Sequence, residues 1–175
     1  MTKIGIDIVD LHDPQLKHRN ERALKLILHP DDQLIEHPHL YWLLWSAKEA
    51  IFKCQREALN FSPSSIPVKL VADGEAISFT SEDLTGTFEV TEQYVVAVCG
   101  DQKAALDYAT VATEQVSTSQ TVRDYIVGYF QKKGLDFAIG ADDLNLPTLL
   151  PKNVPISISH HLHWSAFAYP KSVTE

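Results

Sequence analysis

Cysteine, long apolar runs and positive charge are all scarce in this sequence, and each scarcity removes a class of protein. Only two cysteines occur, Cys54 within a helical pattern and Cys99 at a strand end, too few for a disulfide framework or a cysteine zinc site. Both read as small buried hydrophobes. The longest apolar stretches, such as Tyr94 to Cys99, are far too short to span a bilayer. Met1-Thr2-Lys3 runs straight into a strand pattern with no apolar signal region, so the expectation is a cytoplasmic protein without a membrane anchor. Fifteen basic residues against twenty-three acidic ones leave a formal charge of -8, which argues against non-specific nucleic-acid binding. What is present is an apolar fraction of 45% in 175 residues, enough for one domain or two small packed lobes.

Hydrophobic periodicity orders the chain. Lys3 to Val9 predicts a β-branched strand, and Gln15 to Leu28 a helix that stops at His29-Pro30. Leu43, Ala47, Ala50, Ile51, Cys54 and Ala58 recur at helical spacing across residues 40–59. A proline- and serine-rich loop follows at 60–67, then strands over 68–72, 76–80, 86–91 and 94–99. Residues 101–112 read as helical and 113–121 as a polar linker. A helix over 122–133 ends at Gly134, and 156–169 alternates as strand. These spans predict an α+β fold, with residues 1–112 and 122–175 as two lobes.

One small region departs from the acidic average. Lys17, Arg19, Arg22 and Lys25 face the single acid Glu21 in sequence, and His18, Arg22 and Lys25 share one helix face. The pattern reads either as a solvated face or as a docking surface for an acidic partner.

The chemistry-bearing residues sit in three strings. Asp7 lies in Gly5-Ile6-Asp7-Ile8-Val9-Asp10 among apolar neighbours, where a carboxylate needs a partner or a metal. Trp45-Ser46-Ala47-Lys48-Glu49-Ala50-Ile51-Phe52-Lys53 places Glu49 and Lys53 one helical turn apart, off the apolar face, with Lys48 as a second cation nearby. Two carboxylates plus waters suit Mg²⁺, which takes oxygen ligands and keeps part of its hydration while binding phosphates. Near the far end stands Pro155-Ile156-Ser157-Ile158-Ser159-His160, in which alternation puts Ser157, Ser159 and His161 on one strand face and Ile156, Ile158 and His160 on the other. His160, His161 and His163 also raise the alternative of a transition-metal site.

In this order, the strings resemble the signatures of the 4′-phosphopantetheinyl transferase superfamily, which moves the phosphopantetheine arm of coenzyme A onto a serine of a carrier protein. The resemblance implies that Asp7 and Glu49 hold Mg²⁺ and that Lys48 and Lys53 offset phosphate charge. It further implies that Glu49 helps to deprotonate the carrier serine, and that Ser159 and His160 bind the coenzyme. The catalytic set is then Asp7, Lys48 and Glu49. The substrate class would be an acyl, peptidyl or polyketide carrier protein, docking on Arg19, Arg22 and Lys25. A non-catalytic module that keeps the fold and binds carrier or coenzyme is the alternative.

Motif order adds an expectation about architecture. Ser159-His160 comes last, as in the small holo-acyl-carrier-protein synthase type. Yet residues 61–66 and 92–99 look like the second half of the larger surfactin-synthetase type, and residues 123–169 like its first half. The reading is a circularly permuted pseudo-dimer, monomeric if the chain supplies both lobes and otherwise a homo-oligomer. Three departures accompany it: Val9 stands where the larger type carries a further carboxylate, His161-Leu162 where it has Ser-Gly, and Leu146 where a basic residue is common before Pro147.

Overall fold

The computed structural model describes residues 2–16, 21–55, 60–101 and 105–175. Strand β1 (Ile4–Asp10) is buried at every position, with Ile4, Ile6, Ile8 and Val9 supplying the apolar bulk of a strand covered on both faces. A short helix α1 (Glu21–Ile27) and the long α2 (Leu40–Gln55) follow, then a 3-10 turn at Pro63–Ser65. Four strands complete the first lobe: β2 (Lys69–Asp73), β3 (Ala76–Ser81), β4 (Leu84–Val90) and β5 (Tyr94–Asp101). They form one antiparallel sheet in the order β1-β5-β4-β3-β2. Leu44, Ala47, Ala50, Ile51 and Cys54 of α2 pack on its Leu70, Phe79, Leu84, Ala97 and Cys99. The helix approaches β1 so closely that a Cβ on Gly5 would lie 1.9 Å from the Ala50 carbonyl oxygen. Cys54 and Cys99 are free and buried, with the Cys54 thiol donating to the Cys99 carbonyl at 3.0 Å.

Residues 101–112, expected as helix, correct to strand. β5 runs on to Asp101 and β6 spans Leu106–Ala112, because pairing with a strand more than 50 residues away decides the conformation. β6 thereby enters the second sheet, and residues 113–118 lead from it into the next helix. Helix α3 (Ser119–Lys132) is capped by Thr118, whose side chain accepts from the Thr121 N–H. β7 (Ala138–Ala141), β8 (Pro147–Leu150) and the short β9 (Val154–Pro155) form a small sheet. β10 (Ser157–His161) and β11 (Trp164–Pro170) make a hairpin extended by β6, in the order β10-β11-β6. Val122, Ile126 and Phe130 of α3 pack on Phe167 and Tyr169 of that sheet. The whole is an α+β fold of few helices and antiparallel sheets.

The two lobes share a strand plan. β1 pairs with β5 from Ile4↔Gly100 to Asp10↔Tyr94, and β6 pairs with β11 from Leu106↔Pro170 to Ala112↔Trp164. In each lobe the second strand of that pair is also hairpin-joined to the strand before it, β4 in one and β10 in the other. Ile4, Ile6, Ile8, Val96 and Val98 of the first lobe bury themselves against Ala166, Ala168, Leu106 and Trp164 of the second.

Candidate active site

β1 is the edge of its sheet, and its outward N–H groups need acceptors. β10 supplies them from side chains rather than from backbone. The N–H of Ile6 donates to Ser157 Oγ at 3.0 Å, that of Ile8 to Ser159 Oγ at 3.3 Å, and that of Asp10 to His161 Nδ1 at 3.1 Å. Three residues spaced by two on one strand meet three spaced by two on the other, so alternation alone sets the match.

Asp7 lies inside this seam and is 7% exposed. Its Oδ1 accepts from Ser159 Oγ at 2.9 Å and from Lys53 Nζ at 3.1 Å. Lys53 also donates to the Ile6 carbonyl at 3.0 Å, so described residues use two of its three donors. Glu49 is half-buried one turn before Lys53. Burial, then the Asp7 charge, pushes its carboxyl above the ordinary glutamate range, with Lys53 opposing. A glutamate raised by burial beside a second carboxylate is a fitting partner for a shared hard cation. Among the described residues no three His, Cys, Asp or Glu side chains gather to hold a metal. The pair therefore suits an ion that keeps waters or phosphate oxygens as its other ligands.

Lys48 is not brought to this site. It is fully buried and donates to the Ile27 carbonyl at 2.8 Å, Asp32 Oδ2 at 2.7 Å and the Pro63 carbonyl at 3.0 Å. All three ammonium protons are spent, leaving none for a phosphate. Burial pulls its pKa down, with Asp32 opposing. Asp32 in turn accepts from the N–H groups of His29 and Val68, so the pair ties the end of α1, the 3-10 turn and β2 together.

Ser159 is likewise engaged, holding Asp7 and the Ile8 N–H rather than facing open solvent. His160 stands on the opposite face of β10 and is exposed. The buried part of its ring, then Lys53 and His161, hold it below the ordinary histidine range. A cavity of about 210 Å³ opens beside Lys53 where the lobes meet, walled by Ile4, Phe52, Leu146, Pro147 and Ile158. The three clustered histidines do not converge. His161 reaches Asp13 and His163 reaches the Thr113 carbonyl, each by hydrogen bond. Arg22 and Lys25 are exposed on α1 beside Leu26, itself 73% exposed. Lys17, His18 and Arg19 lie outside the described residues.

Sequence reasoning overlooked Asp32, Ser157 and His161. Nothing local marks Asp32, whose partners come from distant segments. Ser157 and His161 were visible as the face shared with Ser159.

Once this geometry is compared with known proteins, the family model of the 4′-phosphopantetheinyl transferase superfamily matches residues 3–99. The match covers more than half the chain and includes Asp7, Glu49 and Lys53. The chain belongs to the 4′-phosphopantetheinyl transferase superfamily. Its class is that of transferases, whose members take coenzyme A as a substrate, typically with a divalent metal, and act on carrier proteins. No curated protein and no solved structure matched the chain.

Proposed function

We propose that this protein transfers the 4′-phosphopantetheine arm of coenzyme A to a serine of an acyl, peptidyl or polyketide carrier protein. The observation that carries the reading is the convergence on Asp7: Lys53 arrives from α2, Ser159 from β10, and Glu49 lies close enough to feel the Asp7 charge. Asp7 and Glu49 would hold Mg²⁺, which when bound withdraws charge from the pyrophosphate. The serine oxygen forms its bond to the phosphorus that carries the pantetheine arm, and the bond from that phosphorus to 3′,5′-adenosine bisphosphate breaks. The serine proton passes to Glu49, directly or through water. Lys53 offers its remaining donor to a phosphate oxygen, and His160 stands at the same edge. Lys48 enters as a structural tie rather than a phosphate ligand.

The repeated strand plan supports the permuted pseudo-dimer reading, in which the lobes divide between Asp101 and Leu106. The four strand ends concerned are neighbours. A Cβ on Gly100 would lie 2.7 Å from Leu106 Cδ1 and 3.3 Å from the Lys3 carbonyl oxygen, and the Lys171 N–H donates to the Ala105 carbonyl at 2.9 Å. Such closeness is the condition for exchanging the order of two lobes. One chain then supplies both halves of the site and acts as a monomer. The carrier docks on α1 through Arg22, Lys25 and Leu26.

The apolar wall at Leu146 favours a second reading, a non-catalytic module that binds carrier or coenzyme weakly. Incubation with coenzyme A, Mg²⁺ and a panel of apo-carriers, read by mass spectrometry, separates the two. Transfer to at least one carrier is expected, reduced ~10²-fold or more in Asp7→Asn and in Glu49→Gln. Absence of transfer to every carrier, with coenzyme still bound, would establish the second reading.

A further inference from the structure

None of these roles uses His161, yet its ring reaches the other lobe through both nitrogens. Nδ1 accepts from the Asp10 N–H, and Nε2 lies 2.7 Å from Asp13 Oδ2. A ring nitrogen that accepts an N–H carries no proton, so in the neutral imidazole Nε2 holds the proton and donates it to Asp13. The contact is well shielded, with the Asp13 side chain 11% exposed and that of His161 27%. Asp13 builds the next turn: its Oδ1 accepts from the Gln15 N–H at 2.7 Å and its carbonyl from the Leu16 N–H at 2.9 Å. Asp10 builds the preceding one, accepting from the N–H of His12 at 2.9 Å and of His163 at 3.4 Å. The β10–β11 hairpin thus grips this segment at Asp10 and at Asp13. Its turn residue Leu162 sits at φ +46°, which places His161 and His163 on either side of a tight reversal.

Residues 10–16 are the path by which β1 leads toward α1 and its basic face. We propose that His161 is a positioning residue for the carrier protein: it fixes this path against the strand that bears Ser159 and His160, and so helps hold the docking face where a carrier binds. The inference rests on the reading of α1 as the docking helix. His161 itself contacts neither substrate.

Three variants dissect the two nitrogens. An asparagine amide oxygen occupies roughly the place of Nδ1, and a glutamine amide nitrogen that of Nε2. His161→Asn keeps the Asp10 bond and drops Asp13, His161→Gln does the reverse, and His161→Ala drops both. Backbone amide exchange of the full-length protein without substrates gives a readout independent of activity. In His161→Ala, the amides of Asp10, Gln15 and Leu16 should exchange roughly tenfold faster or more, while those of β1 that pair with β5 keep their protection. In the transfer assay, His161→Asn and His161→Ala should raise the carrier KM about tenfold, with coenzyme KM and kcat at saturating carrier within about twofold of wild type. His161→Gln should restore the carrier KM. Unchanged exchange in His161→Ala, an unchanged carrier KM, or a rise in coenzyme KM instead would each overturn the proposal. Wild-type protein that modifies no carrier, while the exchange difference is present, would instead defeat the transferase reading and leave the joint itself standing.

Discussion

At the scale of single residues the site is a matter of which charges are compensated. Glu49 holds its proton more tightly in the folded protein than in the unfolded chain, because of burial and then Asp7. Stability of the metal-free protein therefore falls as pH rises from the ordinary glutamate range through the elevated one, and the cost is full above it. Glu49→Gln should consequently be the more stable protein in denaturant melts at pH 7, with an advantage that shrinks toward pH 4. Mg²⁺ should stabilise the wild type and not the variant. Equal stability at every pH would remove the uncompensated charge on which the metal assignment leans. The two lysines should separate by a different measurement. Lys48→Ala strands the Asp32 carboxylate, 1% exposed, and should lower unfolding free energy by about 3–5 kcal/mol. Lys53→Ala, at a partly exposed position with Ser159 still on Asp7, should cost less stability than Lys48→Ala and should slow transfer. Asp7, Glu49 and Lys53 were legible as candidates in the sequence, through an acid set between isoleucines and a one-turn helical spacing. Lys48 was misjudged because a lysine on a helix reads as a surface charge. Its phase held the clue: it lies four residues after Leu44 and three before Ile51, both fully buried. The three acceptors that make burial affordable come from residues 27, 32 and 63, which no local pattern links.

At the scale of elements, β1 is squeezed between a helix and a strand that does not pair with it through backbone. Gly5 is the point of closest approach, and Gly5→Ala has nowhere to place a methyl group except against α2 backbone. Pushing α2 away should cost at least about 1–3 kcal/mol of stability and shift Glu49 relative to Asp7. The checks are a thermal melt and the Mg²⁺ concentration needed for half-maximal transfer, which should rise. Unaltered metal dependence in a folded Gly5→Ala protein would show that helix position and metal pair are not coupled. α2, α3 and most strands could be read from periodicity, since both helices carry continuous apolar stripes, whereas the helix expected from Gln15 is described only over Glu21–Ile27, with Gln15 and Leu16 in a turn before it. β6 could not. Asp107-Tyr108-Ala109-Thr110-Val111 is strand-like in composition, but the alanines before it favour helix, and only the distant partner β11 resolves the conflict.

For the whole molecule, the consequence of the repeated plan is that lobe order should be interchangeable. A permutant that joins the ends beyond Lys171 and Lys3 through a flexible linker, and opens the chain between Asp101 and Ala105, should fold and retain transfer within about tenfold of the parent. Size-exclusion chromatography with light scattering should give one chain per particle for both. An inactive permutant that still folds would count against the pseudo-dimer. The proposed architecture rests in the sequence on motif order and on the likeness of residues 61–66, 92–99 and 123–169 to the larger type's halves, whereas its proposed division before β6 rests on the strand pairing.

The seam between β1 and β10 carries one more consequence. Two strands joined by backbone can change their relation only by shifting a whole register, but this edge is closed by a serine, a serine and a histidine. Each is a single codon. Substitution can therefore retune the contact between β1 and β10 one rung at a time, without any strand being re-laid.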